Sequence, residues 1–521
     1  MSESLALARR VVTRFVVLLS FVLVALAPVS PAPGAPRTSG GDDRASHWAG
    51  FRIPATGHAD GKWIGGYRIG STPVFVTTPR KRPNKAGFGA ASATEDLSGA
   101  TGPSATETAR AAWILSKYGG YRDDVQAAAV DAAVLHLLAG GTWRITGNGR
   151  GAQRIRQARD SATVKRFARL MLRSSRVSAG AYHATVTATS TDVGGITSVT
   201  VTVTDGRGRP VAGLPVTVTS PEGAPAVASG GPVEAVTGDD GRTLVRLAAP
   251  LAGWRTVTAR VGQVPEHRLI VHAPDRRGQA SVAEGGVRRT LEVSTPAAVR
   301  GPQSLAVRAA PDVVTAGSQA RVVATVAGDG TSRMATATLH GPVSSAAVAG
   351  CGAPVVGTAN GEVSANGDYA LSPVTPGAGG FYAWRVSVDG TATSLPITAC
   401  GAVVKVRART TTTLAAAQTW VEDNALVPMT VSGVPFGAKV DLTLKLFGPY
   451  SSMGDLQSDA CGQPQAQTTV SRQGDGTVVS GPIFRPAASG LYAWQAEAAP
   501  GELWLGSRST CGAAGTITTV E

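Results

Sequence analysis

From Thr197 to Thr204 the chain reads Thr-Ser-Val-Thr-Val-Thr-Val-Thr, with valine at every second position. That period is the mark of a strand that buries one face. Asp205-Gly206-Arg207-Gly208-Arg209-Pro210 interrupts it as a turn, and Leu214 to Thr219 resumes the alternation. Gly238-Asp239-Asp240-Gly241 then turns the chain into Thr243–Leu247, and Trp254–Val261 completes the series. Strands about ten residues apart, punctuated by Gly and Asp, predict a β-sandwich over residues 190–273. The same texture returns at Ala320–Ala327, Val427–Val431 and Val440–Leu446. Residues 274–303, rich in Arg and Gly with little pattern, are expected to be a linker.

Residues 43–183 follow a helical rhythm instead. Thr106–Leu115 places Ala109, Ala112 and Trp113 on one face and stops at Gly119-Gly120. A second run, Val125–Leu135, starts behind Asp123 or Asp124 as a cap and ends at Gly140-Gly141. Its alanine density predicts close packing against other elements. A third candidate, Ala152–Arg176, carries an irregular apolar stripe of Ile155, Ala162, Phe167, Leu170 and Met171. Between Arg150 and Arg176 there are nine basic residues and one acid, Asp160. The segment is either a polyanion- or membrane-binding face or the solvated side of a core-packed helix.

The C-terminal part contains one pattern written twice. Gly341-Pro342, Cys351-Gly352-x-Pro354, Phe381-Tyr382-Ala383-Trp384 and Cys400-Gly401 recur as Gly448-Pro449, Cys461-Gly462-x-Pro464, Leu491-Tyr492-Ala493-Trp494 and Cys511-Gly512. A repeat of about 110 residues has the size of a sandwich, which predicts two Cys-bearing modules at 304–408 and 409–521. The only four cysteines thus form equivalent pairs, Cys351 with Cys400 and Cys461 with Cys511. Near the N-terminus, Arg9, Arg10 and Arg14 precede the apolar run Phe15–Ala27, a secretion signal over residues 1–30, with a disordered linker at 31–42. Left uncleaved, that signal is the one expected tie to a membrane. Export favours oxidised cysteines, and no close Cys pair suggests zinc.

Among 521 residues, Gly 64, Pro 32 and 16% charged residues suit turn-rich β modules. The net charge of +14 fits either attraction to anionic polymers or the Arg-rich usage of a high-G+C genome; arginine supplies 41 of the 49 basic residues. No sorting motif follows the last module.

Within residues 43–183, Gly65-Gly66-Tyr67-Arg68-Ile69-Gly70 with Val74–Pro79 resembles the Y-C-I-D-P strand of thioester domains from Gram-positive surface proteins. Ala129–His136 resembles the A-x-Q-A-A-x-W helix of that family, and Ala179-Gly180-Ala181-Tyr182 its A-G-P-Y exit. The resemblance implies an α+β head in which a strand Cys and a helix Gln form a reactive bond. Here the Cys position falls on Val76 and the Gln position on Asp131, and no Cys precedes Cys351. Gln126 has no thiol to join, so the bond cannot form. Residues 190–273 resemble bacterial Ig-like adhesin domains, through Val201-Thr202-Val203-Thr204-Asp205-x-x-Gly208-x-Pro210. The last two modules resemble Cys-bearing repeats in secreted proteins of high-G+C Gram-positive bacteria.

Other chemistry is thin. No H-E-x-x-H, G-x-S-x-G or Walker loop occurs. His267 and His272 could line a metal site or be surface imidazoles, and Asp239-Asp240-Gly241 fits a hairpin better than a calcium loop. Trp384 and Trp494 suit a core position against a disulfide. Isopeptide chemistry has only Lys439 and Lys445 near Asn424 to offer. The expected whole is multidomain, an α+β thioester-domain-like head followed by three all-β Ig-like sandwich modules. Expected too is an exported, non-enzymatic protein without cofactor. Its partner would be a surface protein, glycan or cell-wall polymer, with no specific nucleic acid. The alternative is a structural wall or matrix protein without a dedicated ligand.

Overall fold

The computed structural model describes residues 44–521, except 55–61, 80, 99–101, 221–231, 416–425, 460, 481–484 and 487. The signal and linker expected over 1–42, together with Asn424, lie outside the described residues. Among the described residues no helix is long and apolar enough to cross a membrane.

The head opens with strands β1 (Ser46–Arg52), β2 (Trp63–Ile69), β3 (Thr72–Val76) and β4 (Phe88–Thr94). Helix α1 (Ala105–Tyr118) starts at a full capping box: Ser104 Oγ accepts from the Glu107 N–H, and the Glu107 carboxylate accepts from the Ser104 N–H. Helix α2 (Asp124–Leu138) is capped by Asp123, and Ala127 to Leu135 are all buried, which is why it is so rich in alanine. The basic segment is two helices, not one: α3 (Arg150–Gln157) and α4 (Ser161–Ser178), broken at Asp160, whose φ is 56°. The buried stripe of α4 is Val164, Ala168, Met171 and Ser175, whereas Leu170, expected inside, is exposed.

The first sandwich follows with β5 (His183–Ala188), β6 (Thr191–Asp192), β7 (Ile196–Thr204), β8 (Pro215–Thr219), β9 (Val233–Val236), β10 (Arg242–Ala248) and β11 (Gly253–Pro265). The chain then makes a short hairpin, β12 (Leu269–Pro274) and β13 (Val282–Glu284), before β14 (Arg288–Arg300) returns along β11. The two sandwich sheets have the orders β10-β7-β5 and β6-β14-β11-β8-β9.

Residues 274–303 are therefore no linker. β14 is a central sandwich strand, and β13 belongs to the head. The head sheet runs β1-β2-β3-β13-β12-β4, with Val282 opposite Val76 and Leu269 opposite Thr94. Alternation in β14 is masked by its Arg and Thr positions, and three-residue β13 is too short to show any. The expected separation of head and sandwich fails for the same reason, because one apolar cluster runs from Ile64 and Phe75 through α1 and α2 to Val201 and Val261.

The seam is built for close approach. A Cβ on Gly119 would lie 2.8 Å from the Gly285 Cα, and one on Gly286 would lie 2.9 Å from the Gly120 Cα. Buried Ser116 joins both arms of the excursion, accepting from the Glu266 N–H at 2.9 Å and donating to the Val287 carbonyl at 2.5 Å.

The second sandwich repeats the first strand for strand. Ser304–Ala309, Val322–Ala327 and Gly367–Ala370 form its small sheet; Val313–Thr315, Ile397–Arg407, Gly380–Val388, Arg333–Val343 and Val355–Val363 form the large one. In both, a short early strand pairs parallel with the last strand, as in Ig-like folds. The third uses Thr411–Leu414, Pro428–Ser432 and Gly476–Val479 against a sheet centred on Lys439–Tyr450 and Gly490–Ala498. Tyr382 donates to the Ala378 carbonyl at 2.7 Å and Tyr492 to the Ala488 carbonyl at 3.0 Å, the tyrosine corner of Ig-like sandwiches.

Cys351 lies opposite Cys400 and Cys461 opposite Cys511 at disulfide distance, Cα atoms 6.1 and 6.3 Å apart. Trp384 and Trp494 are buried in the cores, and Cys351 Sγ lies 3.7 Å from the Trp384 carbonyl. Cys461 and Cys511 join a separate small cluster with Phe447, Leu456 and Ala493. Each bridge closes a loop of about 50 residues, worth roughly 4 kcal/mol by chain entropy. Peptide mapping without reduction should return these two pairs, and Cys351→Ala with Cys400→Ala should lower the melting of the second sandwich alone. A linked Cys400–Cys461 peptide would contradict the pairing.

Candidate functional site

Two strands, two helices and a turn converge on a small cavity in the head. β2 and β3 contribute Tyr67 and Val76, α2 contributes Asp131 and Leu135, and the following turn and α3 contribute Trp143 and Arg154; Pro79 and Lys81 complete the wall. Val76 and Asp131, the positions that the resemblance assigns to a Cys and a Gln, thus line one cavity. Val76 is held there between β2 and β13, since β13 pairs with β3 and places Val282 opposite it.

An ion pair occupies the centre. Arg154 Nη2 donates to Asp131 Oδ2 at 2.9 Å and to the Trp63 carbonyl at 2.8 Å, and the guanidinium lies 5.6 Å from the Trp143 ring centroid. Both side chains are almost wholly buried, at 6% and 3% exposure. Burial, reinforced by the Asp131 carboxylate, pushes the Tyr67 phenol well above its usual range, so Tyr67 stays protonated. About 20 Å³ of room for water-molecule centres remains, enough for one water. A cavity of that size, with the Asp131 carboxylate engaged by Arg154 and a valine at the other position, has no thiol and no space for a substrate. Gln126 is elsewhere occupied, its amide donating to the Tyr118 carbonyl at 3.0 Å.

A larger, open cleft of about 500 Å³ lies between α1, α2 and α4. Its lining includes Arg110, His136, Arg169, Arg173 and Arg176 over an apolar floor of Ile145 and Leu172. Arg110 is fixed by donating Nε to Ser175 Oγ (3.2 Å) and Nη2 to the Leu172 carbonyl (2.9 Å). Sequence reading found α4's arginines but missed Arg110 and His136, which no local motif connects to them.

The remaining candidates do not assemble a centre. His272 pairs with Glu284 at 2.7 Å, whereas His267 faces Glu95 at 3.5 Å. Asp240 accepts from the Arg242 N–H in a turn leading into β10. Among the described residues no three His, Cys, Asp or Glu side chains gather as a metal site.

No family model and no curated protein matches the chain. Among solved structures it is similar to the Escherichia coli adhesin FdeC at 18% identity, over 65% of this chain and 96% of that one, with a TM-score of 0.27. It is similar to titin domains I67–I69 at 10% identity, over 65% and 97%, TM-score 0.32. Invasin, a bacterial integrin-binding protein, matches at 16% identity over 61% and 57%, TM-score 0.21. At TM-scores below 0.5 none of these likenesses assigns a function to the chain.

Removing one member of the Asp131–Arg154 pair takes an ion-pair contact from a buried charge, which costs about 3–5 kcal/mol. Asp131→Ala and Arg154→Ala should each destabilise the head by that order in denaturant melts. Asp131→Leu combined with Arg154→Met should cost less than the sum of the single changes. Single variants as stable as the parent chain would show that the pair is not buried.

Proposed function

We propose that the protein is an exported, surface-displayed or secreted binding protein, adhesin-like and non-catalytic, in which the head meets its partner without covalent chemistry and the sandwiches space it. The observation that carries this reading is the small cavity at the centre of the head, filled by an ion pair. Val76 and Asp131, which the resemblance assigns to a reactive bond, both line it, and the Asp131–Arg154 pair lies at its centre. A series of Ig-like sandwiches behind such a head suits presentation better than catalysis. The cleft on the head then remains as the contact surface.

The reading is tested on glycan and surface-protein arrays with residues 43–303 and 304–521 as separate fragments, alongside the full chain. Partner retention by 43–303 and by the full chain, released by denaturant with no added mass, is the expected result. Treatment with methylamine should give no adduct, and the intact mass should lack the loss of about 17 Da that a thioester would cause. Retention by neither fragment nor the full chain would favour a structural wall or matrix role. A covalent adduct in the head would overturn the account of the cavity.

A further inference from the structure

We infer that the cleft between α1 and the C-terminal half of α4 binds the phosphate or sulfate groups of an anionic glycan. The inference rests on the head being the binding unit, as proposed above, and gives that unit a ligand class.

Arg169, Arg173 and Arg176 stand at i, i+4 and i+7, on one face of α4, and all three are exposed. They span roughly 10 Å along the helix at 1.5 Å per residue. None has an ion-pair partner among the described residues, and like charges at this spacing destabilise a helix. The helix dipole accounts for cations in the last turn, where Arg176 sits, but not for Arg169, more than two turns from the end. Arg110 adds a guanidinium from the opposite wall, pinned by Ser175 and Leu172 so that it loses little freedom on binding. Forked guanidinium groups in a partly desolvated cleft suit tetrahedral oxyanions, which accept two parallel hydrogen bonds.

His136 fits the same chemistry. Its Nδ1 accepts from the Ile145 N–H at 3.1 Å, which leaves the ring hydrogen on Nε2 as a donor. Burial, with Arg144 and Arg110 nearby, holds the imidazole below its usual range, and it serves as a neutral donor. One carboxylate, Glu107, acts on both Arg110 and His136, against four guanidinium groups in the lining.

Ligand class follows from what lines the cleft. Buried Ile145 and half-buried Leu172 give a small apolar floor that suits the C–H face of a sugar. No Phe, Tyr or Trp lines the cleft, its one ring being the imidazole of His136, and single-stranded nucleic acid binding depends on stacking bases on such large rings. A second cleft of about 390 Å³ adjoins through Arg110 and Arg176 and adds Arg207 and one acid, Glu95, so the mainly basic surface extends beyond one sugar residue.

The test uses the full chain with sulfated dextran, phosphorylated dextran, neutral dextran and an oligo-dT strand, by titration calorimetry at two salt concentrations. Binding to one or both charged dextrans and not to neutral dextran is expected, and the two charged forms distinguish sulfate from phosphate. The triple variant R169Q/R173Q/R176Q should weaken it roughly tenfold or more and flatten its salt dependence. R209Q/R276Q/R277Q, which removes the same charge from exposed sites elsewhere, should change affinity no more than about twofold. Circular dichroism melts check that both variants fold. Equal losses in the two triples, oligo-dT binding as tight as the dextrans, or no dextran binding would each overturn the inference. A cleft triple that still retains the array partner of residues 43–303 would sink the anionic-glycan assignment and leave the binding reading standing.

Discussion

Between β3 and β4 the head sheet has room for two strands, and the first sandwich fills it with β12 and β13. Val282 and Ala283 are wholly buried in that position, and Leu269 nearly so. Burying each large apolar side chain contributes about 1.5–3 kcal/mol, beyond the ladder of backbone bonds on both edges. Without the hairpin, β3 and β4 would each present an unpaired edge, and the strand that carries Val76 would lose one neighbour. The position of the small cavity, of α1 above it and of the cleft beside α4 all depend on this donated pair.

The same connection reaches backwards in every sandwich. Between the last two strands of the second sandwich, the loop bonds to Gly301, the residue after β14: the Gly301 N–H donates to the Thr393 carbonyl and the Leu395 N–H to the Gly301 carbonyl. In the third, Ala408 bonds to Leu503 and Leu505 in the identical pattern. Arg407 reinforces that junction by donating to the Gly501 and Trp504 carbonyls. Each module thus grips its predecessor by backbone pairing at one loop, and in the first sandwich that loop has grown into a hairpin inside the preceding sheet. Shared apolar contact adds to this backbone pairing, as where Phe381 of the second sandwich packs into the core of the third.

Much of this was legible from residue order. Ser104 with Glu107, the Val/Thr alternation of β7 and the duplicated Tyr-Ala-Trp motif all act within a few residues, where local periodicity and caps carry the signal. The resemblance named Val76 and Asp131, and the fold brings both to one cavity. Arg154 could not be paired with Asp131 by reading, because a buried ion pair across 23 residues leaves no periodic trace. The same holds for β13, three residues whose partner strand lies some two hundred positions earlier. Gly285-Gly286 looked like linker composition. Its cause is the opposing pair Gly119-Gly120, visible only once the two segments touch.

The central claim is that the hairpin completes the head, and native-state hydrogen exchange tests it most directly. Residues 267–286 are replaced by a short Gly/Asn turn that lets β11 pass into β14, and amide protection is read strand by strand. The account predicts that β1 to β4 and α2 lose protection while β7, β11 and β14 keep theirs. Head strands that stay protected at the level of the parent chain would contradict it.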